Sequence, residues 1–231
     1  MRLTKKKGIL LLFLGGISYW YYQDAQPDIW GDEADEPYIT VSGEKPKNSH
    51  VDAWLGWGES GEKCKTRTFS FGNGWSDGAD VDWHITHDFS SDPNKYELRI
   101  PYKQYHNDSD CDVSLGDIII QAYNPFDTVG FAQLRIYQAG NDYYNKPIPL
   151  DSKIEARDCN GHLYKWAKDM WKGIIGCNYL VDGSKLSEGS ETNAETVYFD
   201  FSEFNDDTVI HYDISAGDDY RSTPLEPKAG E

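Results

Sequence analysis

The chain has 231 residues and a mass of 26.3 kDa, which suits one substantial domain. It contains 39 acidic and 22 basic residues, a net charge of −17, and this acidity argues against nucleic-acid binding because phosphates require a basic surface. The 8 tryptophans and 16 tyrosines argue against intrinsic disorder, and a mean hydropathy of −0.68 argues against a polytopic membrane protein.

Residues 1–25 have the layout of an export signal. Arg2 and the lysines at positions 5–7 precede an apolar run from Ile9 to Tyr22. Basic residues followed by apolar ones are typical of a secretory signal peptide or an N-terminal membrane anchor, and both alternatives stay open. If the segment is retained, residues 8–22 would attach the protein to the inner membrane. The segment holds four basic residues and one acidic residue, so the remainder carries a net charge of −20.

The next part of the chain changes from turn residues to strand patterns. Residues 26–50 are acidic and rich in turn residues, and we expect a linker with one strand at Tyr38–Ser42. Apolar residues then alternate with polar ones, which is typical of half-buried strands. This alternation covers 69–71, 81–85 and 96–100. The run Asp117–Tyr123, with three successive isoleucines, is expected to be a strand buried on both faces, and further strands are expected at 129–137, 197–201 and 209–214. The sequence therefore predicts a mainly β fold, an antiparallel β-sandwich or barrel-like domain over residues 51–215.

One short amphipathic helix is predicted between His162 and Ile174. Leu163, Trp166 and Met170 recur there at helical spacing, with charged residues on the other face. Such a stripe packs on a core more often than it binds a ligand. Residues 216–231 show no periodicity, and we expect them to form a flexible tail.

The four cysteines predict two disulfides, because an even count in an exported chain favours pairing. Cys159 and Cys177 flank the predicted helix and are the preferred pair, which leaves Cys64 to pair with Cys111. A zinc site is disfavoured because the chain has no C-x-x-C motif.

The segment Gly74–Gly78 matches the G-x-S-x-G motif of serine hydrolases, with Ser76 at the nucleophile position. That motif requires a strand before the serine and a helix after it. Here the residues that follow alternate as a strand, so we interpret the segment as a turn.

Two sets of residues could suggest a metal. His84 and His87 are three apart in a predicted strand, so their side chains should point to opposite faces and not share an ion. Asp108, Asp110 and Asp112 alternate as carboxylates do in calcium loops, but Val113 stands where an EF-hand needs glycine. They are candidates for an irregular calcium site, and the alternative is a solvated acidic loop beside a disulfide.

The tryptophans offer a candidate binding surface. Trp83 alternates with apolar residues and is assigned to the core, whereas Trp57 and Trp75 lie among glycines and are the surface candidates. With Asp77 and Asp80 they form the predicted partner-binding set. Tryptophan stacks on sugar rings and also dominates protein-binding hot spots.

Export, disulfides, acidity and the weakness of every catalytic pattern together favour a binding function. We expect a non-enzymatic exported protein of the bacterial envelope, a periplasmic immunity or inhibitor protein that neutralises a basic toxin or enzyme. The alternatives are a carbohydrate-binding module and a secreted hydrolase. No cofactor is expected apart from the calcium candidate.

Overall fold

A computed structural model of the protein describes residues 29–60, 64, 67–70, 74–77, 80–106, 111–124, 130–140, 145–167, 170–187, 191–218 and 220. These residues form strands that we number in chain order. They are β1 Ile39–Glu44, β2 His50–Ser60, β3 Arg67–Ser70, β4 Gly74–Asp77, β5 Asp80–Ile85, β6 Lys95–Ile100, β7 Tyr105–His106, β8 Asp112–Tyr123, β9 Gly130–Gln138, β10 Lys153–Ala167, β11 Met170–Val181, β12 Ser184–Lys185, β13 Ala194–Phe199 and β14 Val209–Ala216.

Two large sheets form the domain. The first sheet has the order β12-β11-β10-β14-β1-β6, and the second has the order β13-β9-β8-β2-β5, with β7 added to β8. β3 and β4 form a separate hairpin. Apolar side chains from both sheets make one buried cluster between them, so the mainly β sandwich predicted from the alternation is confirmed.

The sheets are mixed, which corrects the expectation of an antiparallel fold. β14 runs parallel to both β1 and β10, and β13 runs parallel to β9. Alternation along a strand shows which residues face the core, but it carries no information about the neighbouring strand or its direction. The pairing of the first and last strands of the domain is therefore a finding of the structure.

The predicted helix at 162–174 is wrong, because this segment belongs to β10 and β11. These strands pair as a long antiparallel hairpin in which His162 lies opposite Ile174 and Lys165 opposite Trp171. Glycines and β-branched isoleucines in β11 (Gly173 and Gly176 among them) disfavour a helix, and strand pairing satisfies the backbone. The described residues contain no helix longer than the 3-10 turn Phe201–Glu203, which the Asp200 side chain caps.

Both predicted disulfides are present. Cys159 and Cys177 join β10 to β11, with 4.2 Å between their Cα atoms. Cys64 is joined to Cys111, which directly precedes β8. Two disulfides are compatible with an oxidising extracellular or periplasmic location.

Two buried tyrosines connect the two sheets by hydrogen bonds, and a third joins strands within the first sheet. The Tyr212 hydroxyl in β14 donates to the Ala132 carbonyl in β9 at 2.7 Å, and the Tyr179 hydroxyl in β11 donates to the Asn193 carbonyl beside β13 at 2.8 Å. The Tyr96 hydroxyl donates to the Tyr212 carbonyl at 2.6 Å. Burial is the main cause that raises the pKa of all three hydroxyls above the ordinary value.

The ends of the domain differ from the predicted boundaries. β1 is hydrogen-bonded between β14 and β6, so the folded domain includes part of the segment that we expected to be a linker. At the other end the Tyr220 ring packs against Phe131 at 5.1 Å between centroids, while residues 221–231 of the predicted tail lie outside the described residues. The predicted export segment 1–25 also lies outside them. In the described part of the chain, no helix has the length and apolar character needed to span a membrane.

Candidate functional site

The outer face of the first sheet is covered by charges that neutralise one another. The Lys153 ammonium lies 2.8 Å from the Asp213 carboxylate, and the Arg157 guanidinium lies 2.7 Å from the Glu155 carboxylate. The hydrogen bond to Asp213 is the main cause that raises the pKa of Lys153. Because opposite charges are interleaved, this face is suited to contact with water.

The outer face of the second sheet is aromatic. Trp54 is 39% exposed and lies flat on the His84 ring, with 3.7 Å between the centroids. Tyr137 is 36% exposed, and its centroid is 6.3 Å from that of Tyr198 on the adjacent strand β13. Exposed aromatic rings on one face are candidates for an interaction surface, because the burial of large apolar rings lowers the free energy.

Glycines open a depression in this face, which we call the glycine trough and define by Gly56, Gly58, Asp82 and Asp117. Gly56 lies opposite Asp82 on one side and opposite Asp117 on the other. The Asp117 carboxylate extends over Gly56, since a Cβ there would lie 2.4 Å from Oδ2 of Asp117. The backbone of the trough is therefore open above Gly58 and covered by the Asp117 carboxylate at Gly56, with Asp82 on the other side.

The Trp54 ring beside the trough is supported by a contact between a histidine and an aspartate. Trp54 precedes Gly56 on the same face of β2, because side chains two residues apart point the same way. Nε2 of His84 lies 3.1 Å from Oδ2 of Asp52, which is only 8% exposed. The pair orients the imidazole, and the imidazole supports the indole. A flat ring next to an acidic depression can contact an apolar group and an adjacent cation together.

The surface position predicted for Trp57 is wrong. Its side chain is 2% exposed and packs against Trp83 and Tyr105, with centroid distances of 5.8 and 5.9 Å. The flanking glycines occupy the outer positions of β2, so alternation turns Trp57 toward the core. Trp83 is half-buried and packs against the core cluster.

The other predicted binding residues lie on or near the second sheet. Asp80 begins β5 opposite Gly58, beside the trough. Trp75, Ser76 and Asp77 belong to β4, where Ser76 pairs with Thr68 of β3, so the serine sits in a hairpin strand. The side chains of Trp75 and Asp77 lie outside the described residues.

The candidate metal residues are not brought together in the described structure. His84 lies in β5 and His87 lies beyond its end, where its ring contacts Phe89. Asp112 begins β8, whereas Asp108 and Asp110 lie outside the described residues. Among the residues whose positions are described, no three His, Cys, Asp or Glu side chains are close enough to hold a metal ion.

The outward-facing surface that Trp54 shares with Tyr137 was not predicted from the sequence. The sequence did contain a usable signal. Trp54 and Tyr137 each alternate with core residues along their own strand, so each must face outward. Comparison of the chain with known protein families, curated proteins and solved structures found no match. The fold and surface thus define a two-sheet, disulfide-bonded β domain with one aromatic, acidic outer face.

Proposed function

We propose that the protein is an exported, non-enzymatic binding protein of the bacterial envelope that neutralises a basic protein, a toxin or an enzyme, through the outer face of the second sheet. The contrast between the two outer faces carries this proposal. The first is a surface of paired charges, whereas the second combines exposed rings with the acidic glycine trough.

The chemistry of the second face suits a basic partner. A lysine or arginine side chain that enters the trough above Gly58 would approach the carboxylates of Asp82 and Asp117, and the net charge of −17 would speed its approach. Trp54 would supply the apolar contact beside it. Tryptophan and arginine are enriched in the few residues that dominate protein–protein affinity.

Location is the second part of the proposal. We infer that residues 1–25 direct the chain to the periplasm, where the two disulfides would persist. There the protein would meet secreted or injected toxins before they act. Whether residues 8–22 keep it attached to the inner membrane is tested by fractionating cells and measuring the mass of the mature protein.

A charge-reversal pair tests the binding face. Asp82→Lys places a positive charge in the trough, and the matched control Asp151→Lys makes the same change at an exposed turn before β10. Each purified protein is immobilised and exposed to a set of basic periplasm-targeting toxins, and affinity and toxin activity are measured.

We expect the wild type and Asp151→Lys to bind and inhibit the same toxin, and Asp82→Lys to lose at least about tenfold in affinity. Trp54→Ala should lose about 2 kcal/mol of binding free energy, as a central aromatic contact does. Equal affinity of all variants, or binding without any loss of toxin activity, would contradict the proposal.

A carbohydrate-binding module is the second candidate, because the exposed Trp54 and Tyr137 rings could stack on sugars. This function predicts a change in tryptophan fluorescence with a soluble polysaccharide. The change should disappear in Trp54→Ala and persist in Asp82→Lys, because a neutral sugar has no charge to be repelled.

A further inference from the structure

An aromatic cleft lies between the N-terminal turn at residues 29–38 and the edge of the second sheet. The cleft has a volume of 180 Å³ and is lined chiefly by rings and prolines. These are Trp30, Pro37, Trp57, Trp83, Pro101 and Tyr105. A second hollow of 360 Å³ shares Trp30 and Trp83 with it and reaches His84.

Four rings form a continuous row along the cleft. The centroids of Trp30 and Trp83 are 5.9 Å apart, those of Trp83 and Trp57 are 5.8 Å apart, and those of Trp57 and Tyr105 are 5.9 Å apart. Tyr105 is 42% exposed, so the row begins at the surface and continues to a buried ring.

The wall contributed by the N-terminal turn is held in position by its own hydrogen bonds. Nε1 of Trp30 donates to the Pro37 carbonyl at 3.2 Å, and the Gly31 amide donates to the Glu36 carboxylate at 2.6 Å. The Arg99 guanidinium donates to the Gly31 carbonyl from the neighbouring strand. A wall fixed in this way is pre-organised, so a ligand need not order it.

One polar group in the cleft has no partner. Trp57 is 2% exposed, and its Nε1–H has no hydrogen-bond acceptor in the described part of the protein. By contrast, the indole N–H of Trp30 is satisfied by Pro37. A buried donor without an acceptor is unfavourable and rare, so a ligand that supplies an acceptor beside Trp57 would be favoured.

We propose that this cleft binds a proline-rich, extended segment of another protein that carries lysine or arginine beside the prolines. A polyproline II segment leaves its carbonyls available, and its rings pack on aromatic walls. Because Nε1 of Trp57 is itself buried, a side-chain shift in the cleft wall would have to expose it before one such carbonyl could accept from it. The basic flanks complement the net charge of −17, including the exposed Asp32, Glu33 and Asp35 in the turn that forms one wall of the cleft.

A sugar suits the cleft less well. Each hydroxyl of a pyranose needs its own hydrogen-bond partners, whereas the lining offers few polar side-chain groups, namely Lys103, Gln104, the Tyr105 hydroxyl and the tryptophan N–H groups. Lys103 already lies 3.5 Å from the Asp206 carboxylate. This proposal and the toxin-binding proposal can fail separately, because the cleft and the outer face of the second sheet are tested with different variants.

The test is a titration of the full mature protein with an oligoproline peptide that has lysine at both ends, followed by tryptophan fluorescence. A peptide of the same length with alanine in place of proline is the control ligand. We expect saturable binding of the oligoproline and at least about tenfold weaker binding of the alanine peptide.

Two variants locate the binding. Trp57→Phe removes the N–H donor and should weaken binding about fivefold to tenfold, and Tyr105→Ala, at a position that is 42% exposed, should weaken it about fivefold. Tyr137→Ala, on the outer face of the second sheet, is the control and should leave affinity unchanged. Thermal melting shows which variants remain folded, and Tyr105→Ala decides the test if Trp57→Phe does not fold.

Absence of saturable binding, equal affinity for the two peptides, or unchanged affinity in Tyr105→Ala would overturn the proposal. The proposal would also be overturned if a neutral oligosaccharide displaced the peptide and bound more weakly to Tyr105→Ala than to the wild type. Failure here leaves the toxin-binding proposal intact, because that proposal depends on Asp82 and Trp54.

Discussion

Replacing Tyr212 with phenylalanine would remove a hydroxyl that joins the two sheets while keeping the aromatic ring. The hydroxyl is fully buried and donates to the Ala132 carbonyl across the core at 2.7 Å. Its loss would leave that carbonyl without this donor in a place that water does not reach. We therefore expect Tyr212→Phe to lower the free energy of unfolding by about 1–3 kcal/mol at neutral pH.

The same variant should change how stability depends on alkaline pH. Burial raises the pKa of Tyr212 well above its ordinary value of 10.0, so the folded protein keeps a proton that the unfolded chain releases above that pH. The stabilisation that comes from keeping this proton is fully present below pH 10. Above pH 10 the free energy of unfolding falls by about 1.4 kcal/mol per pH unit for one tyrosine. The alkaline slope of Tyr212→Phe should be shallower than that of the wild type by this amount.

Urea denaturation followed by tryptophan fluorescence measures both effects, at neutral pH and at several values above 10. Tyr137→Phe is the control. That side chain is 36% exposed, so its replacement should change the free energy of unfolding by no more than about 0.5 kcal/mol. If Tyr212→Phe matched the wild type at neutral pH and in its alkaline slope, the bridging role of this hydroxyl would be refuted.

Three further predictions concern a disulfide, the glycines and the N-terminal turn. Replacing Cys159 and Cys177 together with alanine should cost about 3 kcal/mol of unfolding free energy in urea, because their sequence separation is 18; an unchanged midpoint would refute this. Gly43→Ala should lower the melting temperature sharply, since its Cβ would lie 1.9 Å from a β14 carbonyl oxygen. Gly58→Ala is the control: nothing lies within 4 Å of its Cβ, so the free energy of unfolding should change by no more than about 0.5 kcal/mol. Arg99→Lys should accelerate hydrogen exchange in the 29–37 turn, because a lysine cannot keep both the Glu97 contact and the bond to the turn carbonyl; unchanged exchange would show that other contacts hold the turn.

Strand positions could be predicted where one face is buried. The expected strand at 96–100 is observed at Lys95–Ile100, and the one at 209–214 at Val209–Ala216, because period-two alternation reports burial of one face directly. The pairing of Cys159 with Cys177 was also predicted, although the reason was wrong: the residues flank a hairpin, not a helix. Pairing of β10 with β11 brings their Cα atoms to 4.2 Å, whereas a helix over residues 162–174 would hold its ends about 20 Å apart.

The candidate site was harder to predict than the strands. Trp57 was expected at the surface because glycines flank it, but its strand alternates those glycines outward and the indole inward. The segment at 162–174 repeats apolar residues at a spacing that a helix would use, and pairing between β10 and β11 overrides this local preference. In both cases a residue's neighbours in space outweighed its neighbours in sequence.

Composition and local pattern alone determine that this protein is acidic, disulfide-bonded and built mainly of strands, since burial, charge and thiol count are properties of short segments. Only the tertiary structure decides that β1 lies between β14 and β6, that one outer face is aromatic and the other is charge-paired, and that Trp57 lines a cleft. The physical reason is that sheet order, strand direction and cavities arise from contacts between distant segments, and their free energies are not encoded in the periodicity of any one segment.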